Sequence, residues 1–281
     1  MLQLKISVLT PSFNAASTIR ATIESVLSQH YICFEHIIID GGSNDGTQAV
    51  VSEYPHVLLV SESDRGQSDA MNKAVAASTG DLIVFLNADD ILFPGAFAAV
   101  SDLARSRPDC DLYVGRFELF SEGATRIVKP VMSFDSLVLW EDDWPYNPVS
   151  YFFTKRLHAS IGDFPISNHL TMDYWWLLRA LRRANVAYCE AIMGRFNNLA
   201  GNKTSDTFSS LKSSYAVRRN FLISDGLVYL PRFSSIHAIR IVRESSETLS
   251  RCIQIVVWKV ARLTRRLAAK TISRWTGGRE G

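Results

Sequence analysis

The stretch DLIVFLNADD, residues 81–90, decides the fold of this chain. Five apolar residues, Leu82–Leu86, lead into two adjacent aspartates, Asp89 and Asp90. A short apolar run of this kind is typical of a strand whose two faces are both covered. Adjacent carboxylates repel each other unless they share a cation or hydrogen-bond donors. The stretch therefore predicts a buried strand that ends in a charged loop.

Similar apolar runs recur along the chain, at Leu4–Leu9, Glu35–Ile39, Val57–Val60 and Leu112–Phe117. Apolar residues at helical spacing lie between them, from Ile19 to Leu27, from Ala70 to Val75, and from Phe97 to Ala104 with Pro94 near the start. Gly80 is predicted to end the helix that contains Ala70. Strands and helices in alternation indicate an α/β fold, a doubly wound and mostly parallel sheet flanked by helices.

Polar loops follow the first four of these strands, at Thr10–Asn14, Asp40–Thr47, Asp64–Asn72 and Asn87–Asp90. Such sheets bind ligands beyond the carboxyl ends of their strands, so the four loops should converge on one site. Ordinary turn preferences also explain the glycines after Asp40, and Asp90 could instead cap the following helix. A divalent cation, Mg²⁺ or Mn²⁺, bound by Asp89 and Asp90 together would offset their repulsion and is the simplest explanation of the pair.

Length, cysteine spacing and charge distribution limit the class of protein that this chain can be. The chain has 281 residues, 47% of them hydrophobic, which suffices for one core with a small appendage. Its four cysteines form no CxxC pair, and no secretory leader is visible, so we expect a cytoplasmic protein. The formal net charge is +2, yet 11 of the 30 Lys and Arg lie in residues 232–281 with only 3 of the 28 Asp and Glu.

The ordered blocks of the sequence resemble glycosyltransferase family 2, whose fold is called GT-A. They are SVLTPSFNAASTIRATIESVLSQ, IIIDGGSNDGT, SESDRGQSDAMNKAVAASTGDLIVFLNADD and IGDFPISNHLTMDYWWLLR, which together cover about residues 5–180. The resemblance implies an inverting transfer of sugar from a nucleotide-diphosphate donor to a hydroxyl of a saccharide or lipid-linked acceptor. Synthesis of bacterial surface polysaccharide is the implied setting.

The resemblance also implies roles for single residues. Asp40 would contact the base of the donor, Thr10, Pro11, Phe13 and Asn14 would line the nucleotide, and Asp89 and Asp90 would bind ribose and the metal-bound diphosphate. In the third loop Asp64, Arg65 and Asn72 join the nucleotide-binding set, although Arg65 and Lys73 could equally be surface charges. Replacing Asp40 is expected to lower nucleotide affinity and not stability. Asn147–Ser150 lie where the family places acceptor contacts.

Two positions depart from the family's pattern. Its Asp-x-Asp-Asp run begins with Asn87 here, so metal binding should rest on Asp89 and Asp90. Its later Glu-Asp-x-Asp run reads Thr171-Met-Asp-Tyr, which leaves Asp173 alone as catalytic base, unless Asp173 is merely a solvated helix residue.

Three segments are predicted: a nucleotide-sugar-binding half, 1–115, an acceptor-side half, 116–230, and a basic tail, 231–281. In the tail Ile253, Val256, Val260, Leu263 and Leu267 recur at helical spacing among Lys and Arg, which predicts an amphipathic helix. It would hold the enzyme at an anionic membrane, the inner face of the plasma membrane, unless its apolar face packs on the protein itself. Nucleic acid is a minor alternative partner.

Other functions fit less well. No G-x-G-x-x-G follows the first strand, as a dehydrogenase would require, and no G-x-S-x-G for a serine hydrolase is present. A noncatalytic, membrane-tethered nucleotide-binding scaffold of the same fold is the remaining alternative. The presence of Asp40, Asp89, Asp90 and Asp173 together favours an enzyme.

Overall fold

The computed structural model describes residues 3–134, 137, 147–168, 170–198, 213–214, 216–217 and 219–221. The chain divides into two compact units, Met1–Val217 and Arg218–Gly281. Nearly all of the second unit, and with it the predicted tail, lies outside the described residues. Among the residues that are described, no helix is both long and apolar enough to cross a membrane.

The first unit alternates strands and helices, as the sequence predicts. Its elements, in chain order, are β1 (Ile6–Ser12), α1 (Ile19–Leu27), β2 (Phe34–Asp40), α2 (Thr47–Ser52), β3 (Val57–Ser61), α3 (Gln67–Ala77), β4 (Leu82–Phe85), β5 (Ile91–Leu92), α4 (Ala96–Ser106), β6 (Leu112–Ser121), β7 (Ala124–Val128), a 3₁₀ turn (Pro148–Ser150), β8 (Tyr151–Thr154), α5 (Lys155–Ile161), α6 (Met172–Ala180) and β9 (Val186–Asn198).

The strands form one sheet in the order β3-β2-β1-β4-β8-β6-β9-β5, with β7 paired to β6. The pairs β1–β2, β2–β3 and β1–β4 are parallel, which confirms the α/β arrangement of the N-terminal half. Strand β8 is antiparallel to both β4 and β6, and β6 is parallel to β9. Most strands therefore run in one direction, and β5, β7 and β8 oppose them.

The central strands and the inner faces of the helices form the buried core. Strands β1 and β4 are buried at every position, so chain covers both faces of the sheet centre. Helix α1 places Ile19 and Ile23 against Ile38 of β2. Helix α4 places Phe97 and Val100 in the main core cluster. Its apolar spacing predicted this face, since residues three and four apart share one side of a helix.

Gly80 does not end a helix. Helix α3 stops at Ala77 with Ser78 as its C-cap, so the predicted role of Gly80 is wrong. A Cβ atom at Gly80 would lie 2.5 Å from Ser7 Oγ and 2.8 Å from Ser7 N, on the neighbouring strand. Glycine is therefore required here because the backbone passes close to β1.

Candidate active site

Four loops meet at one edge of the sheet, as their positions after the strands predict. Ser12 at the end of β1 pairs with Asp40 at the end of β2. The Asn14 amide donates to Ser43 Oγ over 2.7 Å, and Asn44 N donates to Asn14 Oδ1 over 3.1 Å. These contacts join the first loop to the second.

The third loop touches both its neighbours. A Cβ atom at Gly41 would lie 2.8 Å from the Asp64 carboxylate, so the loops after β2 and β3 are in close contact. At the start of α3, Gln67 Nε2 donates to Asn87 Oδ1 over 3.4 Å and so reaches the loop after β4. The predicted convergence of the loops is confirmed by these contacts.

Turn geometry accounts for two glycines of the second loop. Gly42 has φ +84° and Gly46 has φ +97°, a region that side chains disfavour. Asp45 Oδ1 accepts from Thr47 N over 3.0 Å at the start of α2. The simple turn interpretation therefore accounts for Gly42 and Gly46.

Strand β1 runs three residues beyond its predicted end, so the first residues of the predicted loop belong to the strand instead. Thr10 and Pro11 are buried strand residues, and Thr10 Oγ1 lies 3.0 Å from His36 Nε2 inside the sheet. Pro11 is tolerated because β4 pairs with β1 only as far as Leu9, so Pro11 has no partner on that side. Of the predicted nucleotide contacts in this loop, Phe13 and Asn14 are exposed, Phe13 to 66%.

Asp40 is a buried anchor for the second loop. Its carboxylate accepts hydrogen bonds from Ser43 N (3.0 Å), Ser43 Oγ, Ser61 Oγ (2.7 Å) and Gln48 Nε2 (3.2 Å). Burial raises the pKa of the Asp40 carboxyl, but these hydrogen bonds outweigh burial and the net shift is downward. A base contact by Asp40 stays a prediction, and the structure adds a structural role that the sequence did not indicate.

Asp40→Ala should therefore lower stability as well as nucleotide affinity, in contrast to the expectation from sequence. Hydrogen bonds to a charged group contribute about 1.5–3 kcal/mol each, and the loop loses several. We expect the free energy of unfolding to fall by about 3 kcal/mol in urea titrations. Asp102→Asn, on the exposed face of α4, serves as control and should change neither quantity. Unchanged stability of Asp40→Ala would contradict the anchoring role.

The predicted residues of the third loop have protein partners of their own. Arg65 is exposed and pairs with Asp69 over 2.8 Å. The Asn72 amide makes two hydrogen bonds with the backbone of Phe164, of 2.9 and 2.8 Å. Asn72 thus joins α3 to the loop before α6, which explains it without a nucleotide. The nucleotide contacts of Asp64, Arg65 and Asn72 stay predictions.

Asp89 and Asp90 differ sharply in their surroundings. Asp90 is fully buried, whereas Asp89 is partly exposed at the sheet edge. The Asp90 carboxylate accepts hydrogen bonds from Asn87 Nδ2 (2.9 Å), Asn147 Nδ2 (2.5 Å) and the backbone N–H of Asn197 (2.9 Å). It does not cap α4, whose N-cap is Gly95.

Both carboxyls have raised pKa values. Burial raises the pKa of Asp89, and burial together with the charge of Asp89 raises that of Asp90. A cation here would relieve the cost of holding two adjacent carboxylates in a protein interior. Within the described ranges no three Asp, Glu, His or Cys residues gather as a metal cage. The oxygen donors of Asp89 and Asp90 are of the type that Mg²⁺ and Mn²⁺ prefer, and Mg²⁺ is often held by one or two carboxylates together with substrate phosphates.

Asp173 lies in the first turn of α6 and is half-buried, so it is not a freely solvated helix residue. Its Oδ1 accepts from Tyr174 N over 2.7 Å. Burial raises the pKa of Asp173 to about 6. Burial and then the charge of Asp173 raise the pKa of Tyr151 well above its usual range. Helix α6 packs against β8, with the rings of Trp176 and Phe153 4.6 Å apart. A carboxyl tuned in this way suits a general base near neutral pH.

Three further residues lie at this edge. Asn147 and Ser12 fall within segments that the sequence singled out, whereas Asn197 does not. Asn147, in the stretch where acceptor contacts were expected, is 1% exposed and turned towards Asp90. Asn197 comes from β9, far along the chain, and no sequence signal marks it. At the end of β1 the buried Ser12 Oγ has no hydrogen-bond partner among the residues that the structure describes.

The chain matches the family model described as Glycosyl transferase family 2 over residues 7–172. It is 39% identical over 234 residues to the UDP-Glc:alpha-D-GlcNAc-diphosphoundecaprenol beta-1,3-glucosyltransferase WfgD of Escherichia coli, covering 77% of this chain and 86% of that protein. It is 35% identical over 182 residues to an uncharacterized glycosyltransferase of Mycobacterium tuberculosis, covering 62% of this chain and 68% of the relative.

Solved structures share the fold at low sequence identity. The S. aureus TarS fragment 1–349 in complex with UDP-GlcNAc superposes with a TM-score of 0.64 at 16% identity, covering 78% of this chain and 67% of that one. The mannosyltransferase PcManGT from Pyrobaculum calidifontis, in complex with GDP-Man and Mn²⁺, gives 0.60 at 15% identity, covering 98% and 84%.

Proposed function

This chain belongs to glycosyl transferase family 2, and from that premise we propose that it is a metal-dependent, inverting enzyme of bacterial surface polysaccharide synthesis. It moves a sugar from a nucleotide-diphosphate donor to a hydroxyl of a saccharide or lipid-linked acceptor. The observation that carries this proposal is the partly exposed Asp89, held at the edge where four loops converge. Asp90 and Asn147 join its loop to β8, which packs against the helix of Asp173.

Separate residues would bind the nucleotide, hold the metal and accept the proton. Phe13, exposed after β1, offers a ring on which a base can stack, and Asn14 lies beside the Asp40 loop. Asp89 would hold the metal together with the donor diphosphate. When bound, Mg²⁺ or Mn²⁺ would supply charge neutralisation for the leaving group, which would then need no acid to protonate it.

Asp173 takes the proton from the acceptor hydroxyl while that oxygen bonds to the anomeric carbon. The bond from this carbon to the diphosphate oxygen breaks on the opposite face, and its electron pair leaves with the nucleoside diphosphate. Charge develops on the ring as in glycoside hydrolysis. A single displacement inverts the anomeric configuration, and the product of a donor of known configuration reports it.

The relative WfgD is named for UDP-glucose and a lipid diphosphate acceptor, so those substrate classes come first in the test. We would screen nucleotide-sugars with Mn²⁺ for protection against thermal unfolding, because a bound donor stabilises the native state by mass action. Transfer to a lipid diphosphate saccharide would then be measured with the best donor. Binding without turnover would favour the noncatalytic scaffold, and no stabilisation by any nucleotide-sugar would contradict the proposal.

The basic tail would keep this site near a membrane-confined acceptor. Each Lys or Arg near an anionic surface contributes about 1 kcal/mol, so binding should weaken as salt is added. We expect the full chain to co-sediment with anionic vesicles and a chain ending at Pro231 to remain in the supernatant. Equal sedimentation of both, or retention by RNA instead of vesicles, would contradict a membrane role for the tail.

A further inference from the structure

The Asp90 carboxylate is enclosed by amide groups instead of facing the ligand. Asn87 and Asn147 both donate to Oδ2, over 2.9 and 2.5 Å, and the Asn197 backbone amide donates to Oδ1 over 2.9 Å. The residue has no exposed surface. A buried carboxylate needs such donors, and here they come from three separate segments of the chain.

Asn147 uses both ends of its side chain. Its Nδ2 donates to Asp90, and its Oδ1 accepts from Val149 N over 2.8 Å as the cap of the 3₁₀ turn. The turn leads directly into β8, and Phe153 of β8 packs against Trp176 of α6, with ring centroids 4.6 Å apart. Asn147 therefore connects a strand packed on the helix of the proposed base to the metal-binding loop.

Asn197 holds the same loop from the other side. Its side chain donates to the backbone oxygen of Asp89 over 2.6 Å while its backbone amide holds Asp90. Thr22 Oγ1 adds a hydrogen bond of 2.8 Å to the Asp90 backbone oxygen. The backbone of both aspartates is thus fixed, and only the Asp89 side chain is left partly exposed.

This arrangement also explains why the loop begins with asparagine. A carboxylate at position 87 would place negative charge 2.9 Å from Asp90 Oδ2, in a site where Asp89 already adds charge. Asparagine provides a donor at the same distance. The departure from the family's acidic run is therefore compatible with the enclosed Asp90.

We propose that Asn147 is a positioning residue for donor binding: with Asn87 and Asn197 it holds the buried Asp90 carboxylate, and this fixes Asp89 for the metal–diphosphate. Asp90 itself acts by holding the loop and does not ligate the metal. The inference rests on the proposed function, since it assigns how that donor site is built.

The proposal is tested by exchanging the hydrogen-bond donor at position 147 with the acceptor at position 90. Asn147→Asp keeps an acceptor for Val149 N but removes the donor to Asp90 and adds a second charge. Asp90→Asn combined with it lets the new amide at position 90 donate to the carboxylate at position 147. The Asn87 amide must turn over so that its oxygen also accepts from that nitrogen, because Asn87 and Asn147 donate to the same Asp90 oxygen in the wild type. The dissociation constant of Mn²⁺ with UDP or GDP, whichever binds the wild type more tightly, is measured by calorimetry, with the melting temperature of each variant alongside.

Residues that orient metal ligands commonly affect affinity by about 10- to 100-fold, and we expect Asn147→Asp to weaken binding by at least about tenfold. The double variant should recover to within about threefold of the wild type although it lacks the Asp90 carboxylate. If the double variant binds no better than Asp90→Asn alone, the proposal is overturned, because Asp90 would then be needed as a ligand.

Ser150→Ala is the matched control, since it removes the 3.0 Å hydrogen bond from Ser150 Oγ to the Asn147 backbone in the same turn and leaves Asp90 untouched. It should leave affinity unchanged, and a loss equal to that of Asn147→Asp would overturn the proposal. If Asn147→Asp does not fold, Asn147→Ala replaces it and should also weaken binding about tenfold; unchanged affinity would overturn the inference. A wild type that binds no nucleoside diphosphate with Mn²⁺ would instead refute the proposed function.

Discussion

Asp173→Asn should lower sugar transfer at least about 100-fold while leaving donor affinity and stability nearly unchanged. The carboxylate is the proposed acceptor of the hydroxyl proton, and asparagine cannot take a proton at neutral pH. The side chain lies at the start of α6, and its hydrogen bond from Tyr174 N can be kept by the asparagine oxygen. Initial rates and nucleotide titrations of the same preparation would separate the two effects.

The pH dependence of the transfer rate provides an independent test of Asp173. Burial raises the pKa of Asp173 to about 6, so the basic form is lost as the pH falls through that value. Transfer by the wild type should therefore rise with pH and level off above about 7. In Asp173→Asn this rising limb should disappear from the residual rate.

Asp163→Asn is the matched control, because Asp163 is an exposed acid in the loop before α6. Its rate and pH profile should resemble those of the wild type. Activity of Asp173→Asn within a few-fold of the wild type, or an unchanged rising limb, would remove Asp173 from the mechanism.

Asp89→Asn should abolish metal-dependent transfer, and EDTA should do the same to the wild type. Asp89 is the one member of the aspartate pair with exposed surface, so its carboxylate is the one that can reach a metal bound to diphosphate. Asp90→Asn should weaken Mn²⁺ binding less than Asp89→Asn does. The sequence left open which of the two aspartates ligates the metal, and the burial of Asp90 favours Asp89.

The measurement is transfer rate against Mn²⁺ concentration, with Asp102→Asn on α4 as the acidic-to-amide control at an exposed position. That control should require metal as the wild type does. Full activity in EDTA would refute metal dependence, and a normal metal titration for Asp89→Asn would remove Asp89 as the ligand.

The sequence by itself determined the alternation of strands and helices and the edge at which the polar loops gather. Apolar runs such as Leu82–Leu86 can bury both faces only in a covered sheet, and the residues that follow them must lie at its carboxyl edge. These inferences depend on periodicity along a few neighbouring residues. Local patterns are sufficient for them, and the structure confirms them.

Only the tertiary structure decided which of two adjacent aspartates faces solvent and which is enclosed. The donors to Asp90 come from positions 87, 147 and 197, brought together by the pairing of β9 with β5 and by the turn before β8. Likewise, Asp40 proved to be a loop anchor because Ser61, at the end of the neighbouring strand β3, donates to its carboxylate. Contacts between residues distant in sequence leave no local pattern, because they depend on how strands pair and not on the spacing of neighbours.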